Sequence, residues 1–263
     1  MTVSHYRPST ADVARLSDSL TDDAAALTFE PFRDESARYL EELIPKPWGH
    51  EFRVYSDDLY DVWKLCLRPG QSTSVHCHPR KETALLCLDG TARMHLLDRT
   101  VDVVAGDVSH IGKGVFHGTA NVGSGPLHLV EVELPRNKFD LVRLSDRYGR
   151  RGTGYETEPG RAPVALRSGR LVARSSVRTG VALDGFSFDV RAGLDLISRP
   201  LAGLLFAVGL DIAAALQHRI EVLGPDDLTE RGGHEQLYLT IVRADPTTTR
   251  TPATRTPTTR KKD

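Results

Sequence analysis

Apolar and polar positions follow three textures along this 263-residue chain. Near the start, Val13, Leu16 and Leu20 recur at i, i+3 and i+7 behind Ser9 and Thr10, residue types that cap helices by lending a side-chain oxygen to the first free N–H groups. A second helix is expected from near Pro31, through Arg33-Asp34-Glu35, to Ile44, where Pro45 and Pro47 stop it. Residues 1–45 therefore read as a helical lead-in that packs rather than reacts. From about 46 to 150 the pattern changes to short apolar or alternating runs broken by Gly, Pro, Asp and Asn. The predicted strands there are Val62–Arg68, Ser72–His78, Thr83–Leu88, Ala92–Leu97, Val101–Val104, Val108–Ile111 and Leu127–Leu134, with a further strand starting at His117. Many short strands at even spacing, without long amphipathic helices between them, predict an antiparallel sandwich or barrel rather than an α/β fold.

Residues 151–245 repeat the β texture at Phe186–Val190, Leu204–Val208, Ile220–Leu223 and Leu237–Val242. Arg68-Pro69-Gly70 is echoed by Arg191-Ala192-Gly193, and the spacing of Gly106 and Gly114 by that of Gly224 and Gly232, which suggests a degenerate second copy of the first domain. Residues 246–263 hold Thr, Pro, Arg and Lys with almost no apolar side chain. Such a segment cannot offset the entropy cost of ordering, so a disordered tail is expected.

Composition narrows the function classes. Lys and Arg number 34 against 35 Asp and Glu, a net charge of -1. This gives no global reason to expect nucleic acid or an anionic membrane as partner. The N-terminus lacks the basic-then-apolar order of a signal peptide, and no apolar run reaches membrane-spanning length, so a cytoplasmic protein is expected. Cys66, Cys77 and Cys87 cannot all pair and show no C-x-x-C spacing, which points to structural thiols. The uneven feature is histidine: six of ten, at 76, 78, 95, 110, 117 and 128, fall within one short stretch.

In a strand His76 and His78 share a face and Cys77 points away from it. After the turn Pro79-Arg80-Lys81, Glu82 opens the returning strand, where its carboxylate can swing back beside the imidazoles. Two neutral nitrogens and a carboxylate on one wall are the core of a divalent-metal site. Downstream, Gly106, Gly114, His117 and Asn121 mark a strand, a glycine turn and a second strand.

These two segments resemble the cupin superfamily. Its first motif, G-x5-H-x-H-x3or4-E-x6-G, is met by Gly70, His76, His78 and Glu82, with Gly90 one residue late. Its second, G-x5-P-x-G-x2-H-x3-N, is met by Gly106, Gly114, His117 and Asn121, with Gly112 where Pro is usual. The resemblance implies a mainly β fold: a double-stranded β-helix, or jelly-roll, barrel over 46–150 holding one divalent metal, iron, zinc or manganese, on His76, His78, Glu82 and His117. Residues 151–245 would then be a degenerate second barrel of a bicupin. Their positions corresponding to the ligands, Arg199, Leu201 and Glu235, with His234 one place off, leave no metal site there. The flanks Lys46-Pro47-Trp48-Gly49 and Asp140-Leu141-Val142-Arg143 are similar to the edges of the cupin domain in type II mannose-6-phosphate isomerases. Unlike that domain, this chain has His76 near the first ligand position and Thr83-Ala84 after the Glu, which argues against mannose-6-phosphate as substrate.

The resemblance implies an enzyme acting on a small polar, sugar-like or hydroxy-carbonyl substrate by metal-assisted isomerisation or epimerisation. The alternatives are an Fe(II)-dependent dioxygenase and a non-catalytic ligand-binding cupin. Glu82 is a candidate catalytic group. Lys64, opposite the apolar Trp63, Leu65 and Leu67, is a candidate to reach the cavity, and Arg80 and Lys81 are placed to meet an anionic substrate. His110 and His128 read as ordinary strand histidines. A small-molecule partner and a homodimer complete the expectation.

Overall fold

The computed structural model describes residues 1–22, 43–137, 140–145, 147, 171–172 and 180–244. In chain order the elements are β1 (Thr2–Tyr6), α1 (Thr10–Asp22), β2 (Ile44–Lys46), β3 (Gly49–Ser56), β4 (Asp61–Leu67), β5 (Val75–Cys77), β6 (Glu82–Asp89), β7 (Thr91–Leu96), β8 (Thr100–Val104), β9 (Asp107–Ile111), β10 (His117–Asn121), β11 (Leu127–Leu134) and β12 (Val142–Ser145). After them come β13 (Leu171–Val172), β14 (Val181–Leu183), β15 (Phe186–Ala192), α2 (Gly193–Ser198), β16 (Leu204–Gly209), α3 (Ile212–Leu216), β17 (Val222–Leu223), α4 (Pro225–Arg231) and β18 (Leu237–Arg243). The predicted strands are present within a few residues of their expected ends.

The described strands form three sheets. An eight-stranded sheet runs β1-β9-β6-β11-β4-β3-β13, with β2 paired to β3, and a five-stranded sheet runs β12-β5-β10-β7-β8. Their facing sides share one core, in which Trp63, Leu65 and Leu67 of β4, Leu85 and Cys87 of β6, and Leu127 and Leu129 of β11 meet Ala92 and Met94 of β7 and Val103 of β8. This is the jelly-roll barrel. Alternation along each strand sends the other residues outward, and on the large sheet that outer side is also buried. Phe52, Val62, Ala84, Leu86, Val130 and Val132 pack there against Phe186, Phe188, Phe206, Leu239 and Ile241.

Those partners belong to the third sheet, of order β14-β15-β18-β16-β17. The expectation of a second barrel is not met among the described residues of 151–245: Leu171–Val172 joins the edge of the large sheet beside β3, and residues 180–244 form this one sheet and three short helices. The glycine echo is coincidental: α4 fills the space between Gly224 and Gly232, whereas strand β9 lies between Gly106 and Gly114. Gly193, likewise, opens a helix rather than ending a strand in a turn.

The lead-in also departs from expectation. Residues 2–6 are a strand, pairing in parallel with β9 from Thr2↔Asp107 to Tyr6↔Ile111. Gly112 donates its N–H to the Tyr6 carbonyl at 2.9 Å. A proline, usual at that motif position, has no N–H to give. The helix does start at the expected cap: Asp12 Oδ2 accepts from Ser9 N at 2.8 Å and from Ser9 Oγ at 2.6 Å. Yet Val13 is 60% exposed. The helix is held instead by Leu16, which packs on Cys77, Phe116 and Val142 of the small sheet's outer side, and by Asp12 Oδ1, which accepts the Phe116 N–H at 3.0 Å. The second expected helix lies outside the described residues except at its end, where Ile44 opens strand β2 instead of closing a helix, and the tail at 246–263 lies outside them altogether. No described helix is long and apolar enough to cross a membrane.

Candidate metal centre

Strands β5 and β10 pair in antiparallel fashion at His76↔His117, so two histidines meet across the ladder, and His78 follows on the same face of β5's end. The ring centroids are 4.6 Å apart for His76 and His117, 4.9 Å for His76 and His78, and 5.5 Å for His78 and His117. One ligating atom from each lies within 4.8 Å of the others.

The backbone sets which nitrogen faces inward. His76 Nδ1 lies 2.9 Å from the Ser74 carbonyl, His78 Nδ1 2.6 Å from that of Asp140, and His117 Nδ1 3.0 Å from that of Val115. A carbonyl oxygen only accepts, so each Nδ1 carries a hydrogen, and Nε2 is the nitrogen each ring can offer to the shared centre. Burial, followed by the neighbouring His117 and His78, holds His76 well below the usual imidazole range. Burial likewise lowers His117. Three imidazoles converging through Nε2 are a donor set suited to Zn, Fe, Mn or similar divalent ions.

The expected fourth ligand, Glu82, is not part of this cluster. It is the first residue of β6, directly opposite Leu134 of β11, and it shares its parity with Ala84 and Leu86 on the outer side of the sheet. Its carboxylate faces a separate cleft with His5, His110 and Lys113. The inward position is Thr83, and the late Gly90 of the motif was the sign of this one-residue slip. The acid that does approach the triad is Glu131, whose Oε1 lies 3.7 Å from His78 Nε2. Sequence reasoning passed over it, although alternation from Leu127 and Leu129 already placed Glu131 and Glu133 on the inward face.

Two further candidates fall elsewhere. Lys64 alternates with Trp63 and Leu65 and so leaves the barrel on the opposite side, where its Nζ lies 3.5 Å from Asp184 Oδ2 in the junction with the third sheet. Arg80 stays at the surface of its turn, 41% exposed, 3.8 Å from Asp140. Its neighbour Lys81 is the cation that enters the cavity, fully buried and 2.8 Å from Glu133.

His76 and His78 open into a cavity of about 510 Å³, counting its open mouth, with Lys46, Trp48, Glu51, Lys81, Glu131, Glu133 and Arg143 among its walls. Lys46 and Trp48 arrive on a tight hairpin, β2 to β3, paired at Lys46↔Gly49. Glycine is needed at 49 because an added Cβ would overlap the Cys66 carbonyl. Lys46 Nζ stands 3.7 Å from Glu51. Arg143 Nε donates to Ser74 Oγ at 3.2 Å, beside the carbonyl that orients His76. Asn121, the last residue of the second motif, does not face the cavity. Its Nδ2 donates to the Leu67 and Gly125 carbonyls, each at 2.9 Å, tying the β10 end to β4.

Residues 63–133 match the family described as Cupin domain. Among curated relatives, a mannose-1-phosphate guanylyltransferase of Sinorhizobium fredii is 30% identical over 118 residues, 43% of this chain and 23% of that protein. A mannose-1-phosphate guanylyltransferase of Escherichia coli is 32% identical over 110 residues, 41% of this chain and 23% of that one. The chain thus spans about a quarter of the length of these relatives. Among solved structures, a sugar phosphate isomerase from the cupin superfamily of Silicibacter pomeroyi is similar at 18% identity, over 34% of this chain and 60% of its own, with a TM-score of 0.32. An oxalate decarboxylase of Lactobacillus farciminis is similar at 23% identity, over 40% of this chain and 33% of its own, with a TM-score of 0.36.

Proposed function

Because residues 63–133 are a cupin domain, we propose that this chain is a metal-dependent enzyme that moves a proton on a small hydroxy-carbonyl, sugar-like substrate. The observation that carries the reading is the joining of two kinds of chemistry in one cavity: a converging imidazole triad, and a wall of carboxylates and ammonium groups within reach of whatever the triad holds. His76, His78 and His117 would hold a divalent ion, which would supply Lewis-acid stabilisation of negative charge on a substrate oxygen.

The chain's residues supply the rest. Glu131, 3.7 Å from His78, is placed either to complete the ligand set or to take the proton. Lys81 and Glu133 form a buried pair at 2.8 Å on the same wall, from which the ammonium can orient a substrate oxygen and the carboxylate can accept a hydroxyl hydrogen. Lys46 and Arg143 bring two more positive groups, which suit a carboxylate or phosphate on the substrate. Curated relatives are named for a mannose phosphate, which agrees with a phosphorylated or acidic sugar here. Acid–base groups in such number favour proton transfer over dioxygen chemistry, where substrate and O2 need open coordination positions more than bases.

The test is incubation of the metal-loaded protein in deuterium oxide with a panel of aldose and ketose phosphates and sugar acids, followed by NMR. Deuterium entering the carbon next to the carbonyl is expected. Oxygen consumption without exchange would replace the proposal with the dioxygenase, and binding without either would replace it with a ligand-binding module.

A further inference from the structure

A second group of metal-binding residue types lies on the opposite side of the large sheet, away from the barrel interior. On three adjacent strands His50 of β3 is paired with Cys66 of β4, and Cys66 with His128 of β11. Directly opposed residues share a face, so imidazole, thiol and imidazole stand in one row. The third sheet lays Asp184 onto this row. Asp184 is the first residue of the two-residue turn between β14 and β15, with φ of 52° ahead of Gly185 at 79°. Both residues in the left-handed region are what a tight hairpin requires, so the turn fixes where the carboxylate points. Asparagine would serve this turn as well. The aspartate adds a charge aimed at the barrel, and its Oδ2 lies 3.0 Å from His50 Nε2.

We propose that His50, Cys66 and Asp184 form a second metal site, which takes a zinc-class divalent ion across the junction of the barrel and the third sheet. One ligating atom from each lies within 4.8 Å of the others. A nitrogen, a soft sulfur and a carboxylate oxygen are the donor types of zinc sites with three protein ligands and one open position. The His50 and Asp184 side chains are 24% and 23% exposed, so an ion has a way in while Cys66 stays buried. Lys64 is the group that an ion must displace. Its Nζ lies 3.5 Å from Asp184 Oδ2, but it also lies 2.9 Å from His128 Nδ1 and donates to the Leu65 carbonyl at 2.9 Å. It keeps those two partners when Asp184 turns to the metal. The site is independent of the proposed reaction and of the triad.

The experiment loads metal-free full-length protein with cobalt(II) and follows thiolate-to-cobalt charge-transfer absorption alongside metal content. The triad has no sulfur, and Cys77 and Cys87 are buried in other cores. The band therefore reports this site alone. Two equivalents and a thiolate band are expected in the natural protein. His78→Ala should keep the band with one equivalent lost. Cys66→Ser and His50→Ala should each lose the band and one equivalent while circular dichroism stays native. Lys64→Met, which removes the competing ammonium, should bind cobalt more tightly at this site. Absence of the band in the natural protein, or its survival in Cys66→Ser, would overturn the proposal.

Discussion

Glu82 and Glu131 stand on opposite faces of neighbouring strands, and one position of parity decides which of them meets the histidines. Glu82 of β6 is opposite the outward Leu134 of β11, whereas Glu131 of β11 is opposite the inward Leu85 of β6. We therefore expect Glu131→Gln to weaken metal retention by about ten- to a hundredfold, the usual cost of losing a ligand's close partner. Glu82→Gln should leave metal content unchanged. Elemental analysis after dialysis against a weak chelator checks both. Among the histidines outside the triad, His110 is stacked on His5 with centroids 4.7 Å apart, and burial followed by the His5 charge lowers it to about 4. His128, lowered chiefly by burial and next by Lys64, is also near 4. Both start from 6.5 in the unfolded chain. The unfolded state thus gains protons first as pH falls, so stability that is complete above pH 6.5 is lost progressively toward pH 4. Thermal melts across that window should show the midpoint dropping, and His110→Gln should drop less steeply than the natural protein.

At the scale of elements, what was legible in the sequence was the local pattern, and what was hidden depended on distant partners. Strands such as Leu127–Leu134 announced themselves by alternation, and His76 and His78 by spacing that only a strand could use. The strand Thr2–Tyr6 did not, because its reason for being extended is the parallel pairing with Asp107–Ile111, a contact across more than a hundred positions. The replacement of proline by Gly112 was visible, but its meaning needed the hydrogen bond to Tyr6. Lys64 was assigned the correct strand and the correct parity. That face does not reach the cavity, because a third sheet covers it. Helix α1 rests on a similar long-range contact through Asp12, which closes the cap at Ser9 and also accepts the Phe116 N–H. Asp12→Ala removes both, and a loss of about 1–3 kcal/mol is expected in urea unfolding.

For the whole molecule the layers are helix α1, small sheet, large sheet, third sheet. A period-two pattern tells that a strand has a buried side, but not whether a second barrel or a single sheet does the burying. That is why 151–245 read as a repeat of 46–150. The outer side of the large sheet carries Phe52, Val54, Val62, Leu86, Val130 and Val132, all 0% exposed. Ending the chain after residue 145 would uncover this apolar surface, far more than a monomer tolerates in one patch. Such a truncated protein should associate or precipitate on size-exclusion chromatography, while replacing several of these positions by Thr or Lys should restore a soluble barrel.

The three carbonyls that orient the imidazoles belong to the main chain, and every amino acid supplies one. Replacing Ser74, Val115 or Asp140 therefore leaves each acceptor in existence, and the histidine tautomers should survive drift in the surrounding side chains. Position is the vulnerable quantity. The carbonyl of residue 140 reaches His78 from the segment leading into β12, and that segment is pinned by the Asp140 carboxylate to the N–H groups of Arg80 and Lys81 at 2.7 and 3.1 Å. A compound or binding protein that pulled this short stretch outward would turn one ring off the centre and disarm it without entering the cavity.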